Sequence, residues 1–168
     1  MSGPVRTLVL LRHAKSAYPD GVADHARPLA PRGEREAGLA GDWLRANVPA
    51  VDAVLCSTAT RARQTLARTG IDAPVRYLEC LYGATPGVMI DEINAVADDI
   101  GTLLVVGHEP TISEVAIGLA GADSTNTSAL QRLSAKFPTS ALAVLRVSGS
   151  WKHLALGGAA LVDFHVPR

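Results

Sequence analysis

The stretch "LVLLRHAKSA", residues 8–17, places four apolar residues directly before Arg12 and His13. An apolar run that does not alternate is a strand buried on both faces, the habit of a parallel sheet covered by helices. Packing gives no reason for such a strand to end on a cation and an imidazole. Arg12 and His13 are therefore the first candidate functional residues.

Outward from this strand (residues 5–11), the chain alternates. A polar loop, "HAKSAYPDGVADHARPLAPRG", carries the turn residues Pro19, Asp20 and Gly21. "GEREAGLAGDWLRAN" then spaces Ala37, Leu39, Ala40, Trp43 and Leu44 as one face of a helix. "DAVLC" (52–56) reads as a second strand, and "STATRARQTLART" as a helix with Ser57 or Thr58 as its N-cap. "PVRYLE" (74–79) is a third strand, and "TPGVMIDEINAVADD" a helix with Pro86 in its first turn. "TLLVVGH" (102–108) is a fourth strand, followed by the helix "PTISEVAIGLAG". Residues 121–138 read as irregular, and "SALAVLRVS" and "HLALGGAALVDFHV" as two late strands. This alternation predicts an α/β fold: three layers, a mainly parallel sheet flanked by helices on both faces, with an antiparallel strand at one end. No linker, repeat or low-complexity tract divides residues 1–168, which are expected to form one domain.

Composition narrows the function. At 168 residues the chain is long enough to bury roughly two-thirds of its unfolded surface. With 48% hydrophobic and 19% charged residues, it has the make-up of a globular protein. A net charge of zero without like-charge runs gives no electrostatic case for nucleic acid or an anionic membrane as partner. No apolar run is long enough for a membrane helix, and the N-terminal apolar stretch is too short for a signal peptide. Cys56 and Cys80 form no metal-spaced pair and are read as reduced thiols of a cytoplasmic protein.

In open α/β sheets, ligands bind beyond the carboxyl ends of the strands. The four expected ends carry Arg12-His13, then Ser57 with Arg61 about one helical turn on, then Glu79, then His108. Two arginines, two histidines and a carboxylate thus converge on one sheet edge. Arginine binds phosphate as a planar fork and stays charged. Two forks beside a helix N-terminus suit a phosphoryl dianion. Neighbouring cations disfavour the imidazolium, which keeps a histidine nitrogen available for covalent phosphoryl transfer. A second histidine can hydrogen-bond the equatorial oxygens of the transition state.

These residues resemble a family. "LRHAKS" is similar to the RHG signature of the histidine phosphatase (phosphoglycerate mutase-like) superfamily, with Ala14 where glycine is commoner. "CSTATRARQT" and "VVGHEPT" resemble its second arginine and second histidine segments. The D-x-x-RPL-x-x-RG pattern in "DHARPLAPRG", like the short length, resembles the SixA-type branch, associated with removing phosphate from phosphohistidine in proteins. The resemblance spans residues 8 to about 145. It implies His13 as nucleophile, Arg12 and Arg61 as phosphate ligands with Ser57 shaping their loop, and His108 completing the pocket. It puts Glu79 where larger members place an acid, although SixA-type members are thought to lack a proper general acid. It implies no cofactor and no metal, and a phosphorylated protein or small phosphorylated molecule as substrate.

Other readings are weighed against this one. Cys56 leaves only four residues before Arg61, too tight for a cysteine-phosphatase loop, and it ends an apolar strand where a thiol is inert. Nucleotide-binding glycine motifs are absent, and "HEPTI" lacks the second histidine of a zinc site. His25, His153 and His165 show no convergent partners, Trp43 and Trp151 read as packing residues, and Arg27 either caps a helix or stands at the substrate mouth, the second reading being preferred. Two alternatives stay open: a phosphatase or mutase for small phosphoesters, and a non-catalytic phosphate-binding module on the same fold.

Overall fold

The computed structural model describes residues 4–121 and 123–168; residues 1–3, in the stretch read for a signal peptide, and residue 122, in the segment read as irregular, lie outside them. The first strand, β1 (Val5–Arg12), is apolar on both faces because both are covered. Leu8 and Leu10 enter one core layer, Val9 and Leu11 the other, and all four are fully buried. Each such side chain contributes about 1.5–3 kcal/mol on leaving water.

Five further strands join β1: β2 (Ala53–Ser57), β3 (Val75–Leu78), β4 (Thr102–Gly107), β5 (Leu142–Ser148) and β6 (Ala159–His165). They form one sheet in the order β3-β2-β4-β1-β5-β6. The first four run parallel, β5 is antiparallel to β1, and β6 is antiparallel to β5. Helices α1 (Pro31–Asn47) and α2 (Thr60–Thr69) cover one face; α3 (Pro86–Asn94), α4 (Thr111–Leu119) and α5 (Thr127–Ala135) cover the other. The sheet and its two helical layers are those expected from the alternation of the sequence.

The topology creates the site. The chain leaves β1 through α1 on one face and leaves the adjacent β4 through α4 on the opposite face. Loops that diverge from neighbouring parallel strands open a crevice between their carboxyl ends. His13 follows β1 and His108 follows β4, so both stand at that crevice.

Several elements differ from the sequence expectation. Helix α2 starts at Thr60 with Ala59 as a cap that offers no side-chain bond. Ser57 instead ends β2, and Thr58 turns its hydroxyl to Glu79. Helix α3 stops at Asn94 rather than running to residue 99, where the main chain of Asp98 accepts from buried Arg6 at 2.8 Å. The segment read as irregular contains α5, capped by Asn126, whose Oδ1 accepts from Ala129 N–H at 2.9 Å. The last strand begins only at Ala159, because Gly157, at φ +73°, makes the chain turn first.

Beyond His13 the chain folds back on itself. Ser16 bridges to Leu29, and Ala30 N–H donates to Lys15 O at 2.9 Å. The first turn of α1 lies directly on this loop. A Cβ on Gly33 would sit 2.1 Å from Lys15 O, inside backbone with no room to yield. On the same helix a Cβ on Gly38 would find nothing nearer than Arg68 O at 3.8 Å. Gly33→Ala is therefore expected to destabilise by about 1–3 kcal/mol or more. Gly38→Ala should be neutral or stabilising by up to about 1 kcal/mol, since alanine is the better helix former. Urea unfolding of the two variants checks the contrast; equal effects would contradict the close approach.

Candidate active site

Three adjacent strands, β2, β4 and β1, deliver Ser57, His108 and His13 to one edge. The His13 amide still belongs to the ladder, donating to Gly107 O at 3.0 Å. Its ring Nδ1 lies 2.8 Å from Ala14 O. A carbonyl can only accept, so Nδ1 carries the proton and Nε2 keeps its lone pair. The Ala14 amide donates to Thr65 Oγ1 at 2.9 Å, and its methyl packs with Leu29 and Ala37. Alanine at this position thus fills a small apolar cluster under the loop.

The His13 and His108 ring centroids are 5.1 Å apart. His108 Nε2 lies 2.8 Å from Ser57 Oγ, which also accepts from Ala59 N–H at 3.2 Å. Ser57 is completely buried. Its hydroxyl is occupied with His108 and the turn, and it is not among the residues that line the cavity. Arg12 donates Nη1 to Phe137 O at 2.9 Å. Arg61, 6% exposed, donates Nη1 to Asp24 O at 2.7 Å and Nη2 to Asp24 Oδ2 at 3.2 Å. Both guanidinium groups are pinned by main-chain carbonyls.

Arg12, His13, Arg61 and His108 face a polar cavity of about 190 Å³, with Lys15, Tyr18 and Arg27 on its wall. An apolar groove of about 240 Å³ beneath β2 and β3 is roomier, but Arg76 is the one charged residue on its wall. Among the described residues, five buried side-chain polar atoms lack a partner; Arg12 Nε, Arg61 Nε and His108 Nδ1 are three of them. Buried donors are normally satisfied. Three orphans on residues of one cavity leave a place for an anion with several acceptor oxygens.

Electrostatics point the same way. Burial, then the neighbouring His108, Arg61 and Arg12, lowers the His13 pKa to about 3. Burial and then Arg61 lower that of His108 to about 4. Both rings are neutral at physiological pH, as a nucleophile and a neutral donor require. Burial pushes the Cys56 thiol up to about 12, which removes it as a thiolate.

Glu79 stands apart from the cavity wall. Its side chain is 77% exposed and accepts from Thr58 Oγ1 at 2.7 Å. Thr58 in turn lies 3.0 Å from His25 Nε2. His25, expected to have no convergent partner, therefore belongs to a rim network, and its ring meets Tyr82 edge-on at 4.9 Å. His165 likewise has a partner, stacking on Trp43 at 4.7 Å, so Trp43 packs on the surface layer while Trp151 is fully buried. Sequence reasoning passed over Asp24 and Tyr82. Asp24 accepts from Arg61, Arg27 and Tyr82. The Tyr82 hydroxyl first, then Arg27, holds its carboxyl well below the usual carboxylate range. The visible signal was Asp24 at three residues before Arg27 in "DHARPL". Among the described residues no group of three or more His, Cys, Asp or Glu side chains is placed to hold a metal ion. No helix among them is long and apolar enough to cross a membrane.

The chain resembles known proteins along most of its length. The sequence profile of the histidine phosphatase superfamily (branch 1) matches residues 8–99. An uncharacterized Mycobacterium tuberculosis protein is 71% identical over 158 residues, covering 94% of this chain and 100% of its own. A solved structure from Nakamurella multipartitia, provisionally named a phosphohistidine phosphatase SixA, superposes with a TM-score of 0.91 at 45% identity, covering 99% of each chain. The Escherichia coli phosphohistidine phosphatase SixA is 30% identical over 110 residues, 61% of this chain and 67% of that one.

The lowered histidine pKa values make a test that needs no substrate. Unfolded imidazoles titrate near 6.5, so the folded rings should keep the NMR signature of the neutral form from about pH 8 to about pH 5. The unfolded chain then binds these protons first, and stability should decline as pH falls below about 6.5. A midpoint near 6.5 for either ring would contradict the desolvated, cation-flanked site.

Proposed function

The chain belongs to the histidine phosphatase superfamily, and from that premise we propose that it is a metal-independent phosphatase that removes phosphate from phosphohistidine in proteins through a covalent intermediate on His13. The observation that carries this proposal is the free Nε2 lone pair of a neutral, oriented His13 beside two buried arginines whose Nε donors are unpartnered.

In the first step Nε2 of His13 attacks phosphorus as the bond to the substrate nitrogen breaks, and the leaving imidazole takes its proton from solvent. In the second, a water oxygen attacks phosphorus, the bond to Nε2 breaks with its electron pair returning to the ring, and the water proton leaves with phosphate or solvent. Arg12 and Arg61 hold the equatorial oxygens through the whole transfer, where charge is spread in a loose transition state. His108 Nε2 lies 2.8 Å from Ser57 Oγ; with the hydroxyl as donor in that contact, the ring hydrogen sits on Nδ1, where it can serve those oxygens. Arg12 and Arg61 oppose a bound cation electrostatically, in keeping with a mechanism that uses none.

Leaving-group chemistry supports the substrate class. An alkoxide is a strong base and departs only with a positioned proton donor; imidazole or a phenolate needs less help. Glu79 lies on the exposed rim. Glu109 reaches the cavity wall, but its two oxygens accept from the Ser113 amide and hydroxyl, each at 2.7 Å, which ties the side chain to the first turn of α4. The name of the E. coli relative agrees with a phosphohistidine substrate.

A panel of phosphohistidine protein, aryl phosphate, phosphoserine peptide and sugar phosphate, each with and without chelator, tests this. Expected is a kcat/KM for the first two at least about 100-fold above the alkyl esters, unchanged by chelation. Glu79→Gln should cost the phosphohistidine reaction less than about threefold. Efficient alkyl ester turnover abolished by that substitution would instead favour a small-phosphoester phosphatase. Activity lost to chelation and restored by one divalent ion would make His13 and His108 metal ligands.

A further inference from the structure

Asp24 touches more of the site than its position suggests. It sits in a single 3-10 turn, Asp24–Ala26, on the loop between β1 and α1, and its side chain is 57% exposed. The groups it holds are not. The side chains of Arg61 and Arg27 are only 7% and 12% exposed. Arg61 donates one Nη to the Asp24 carbonyl at 2.7 Å and the other to the carboxylate at 3.2 Å. Arg27 Nε donates to Oδ1 at 3.0 Å, while its Nη1 reaches Ser16 Oγ at 2.6 Å beneath the loop after His13. The Tyr82 hydroxyl donates to the same Oδ2 that Arg61 uses. The Tyr82 ring then stands 5.5 Å from that of His108 and 5.7 Å from the Arg61 guanidinium carbon.

An exposed ion pair ordinarily contributes little to stability. What this carboxylate governs is orientation. A guanidinium has five donors in a rigid fork. With both Nη groups of Arg61 fastened to Asp24, the plane of the fork is fixed and the buried, unpartnered Nε–H is left for a ligand. The same carboxylate sets the Tyr82 ring against His108 and sets Arg27 on the cavity wall. Resting on the phosphatase assignment above, we infer that Asp24 is a positioning residue that aligns the Arg61 fork for the phosphoryl group in the transition state.

This role separates from simple support of the fold in a double-mutant cycle. Asp24→Ala and Asp24→Asn are made in the wild-type and Arg61→Ala backgrounds, and aryl phosphate turnover and inorganic phosphate binding are measured in each. Expected is a fall in kcat of about 10- to 100-fold for Asp24→Ala, with a smaller change in KM. Asp24→Asn keeps an acceptor oxygen of the same shape and should recover part of the loss. Once Arg61 is alanine, Asp24→Ala should cost less than about twofold. Phosphate affinity should show the same coupling. Wild-type rates in Asp24→Ala, or an equal loss with and without Arg61, would overturn the inference. A wild-type protein that turns nothing over but shows coupled loss of phosphate affinity would sink the phosphatase assignment and overturn the transition-state role, leaving Asp24 to align Arg61 for a bound phosphate only.

Discussion

The pairing of β1 with β4 is the constraint on which the rest depends. Arg12 aligns with Gly107, and the next amide, that of His13, still donates to Gly107 O at 3.0 Å. That register carries His13 and His108 off neighbouring strands at the same level, with rings 5.1 Å apart. It is enforced by the core beneath. Leu8 and Leu10 belong to one apolar layer and Val9 and Leu11 to the other, so a slip of one residue would exchange the two sets. The apolar run that makes β1 a central strand is therefore also what aims its last residues.

At the end of that strand the fold sets two guanidinium groups and two neutral imidazoles in a largely desolvated place. Repulsion between the two cations is offset by fixed dipoles, Phe137 O on Arg12 and Asp24 O on Arg61, while Ala14 O fixes the His13 ring. Arg12 and Arg61 each keep a buried, unpartnered Nε, and His13 keeps its Nε2 lone pair. The result is preorganised for an oxyanion, since donors fixed before the ligand arrives need not reorganise during reaction. The same desolvation that holds His13 neutral makes it available at pH values where a free imidazole would begin to protonate.

The sheet and its layers, the four strand ends and the four residues Arg12, His13, Arg61 and His108 were legible because each rests on local pattern. Apolar runs mark strands, and the residues just after a parallel strand lie at its carboxyl edge. Helix α5 carried its own signal in Asn126 before Ala129, Leu130 and Leu133, but the polar residues ahead of it masked the start. Ser57 and Thr58 looked like caps; only the packed structure shows their hydroxyls drawn to His108 and Glu79. The contact between Asp24 and Tyr82 was invisible because the two are 58 residues apart in sequence and meet only across the closed loop. Glu79 was placed at the right strand end, yet an edge strand brings it to the rim rather than the floor.

The central claim is that phosphate passes through His13 Nε2, and the most direct measurement is to trap it there. The protein is mixed with a radiolabelled phosphohistidine protein, quenched over a range of short times, and the label mapped by peptide mass spectrometry. The account predicts an acid-labile, base-stable label on His13 that forms and decays at least as fast as turnover, and that is lost together with activity in His13→Ala. Label on Cys56, or full turnover in His13→Ala, would contradict it.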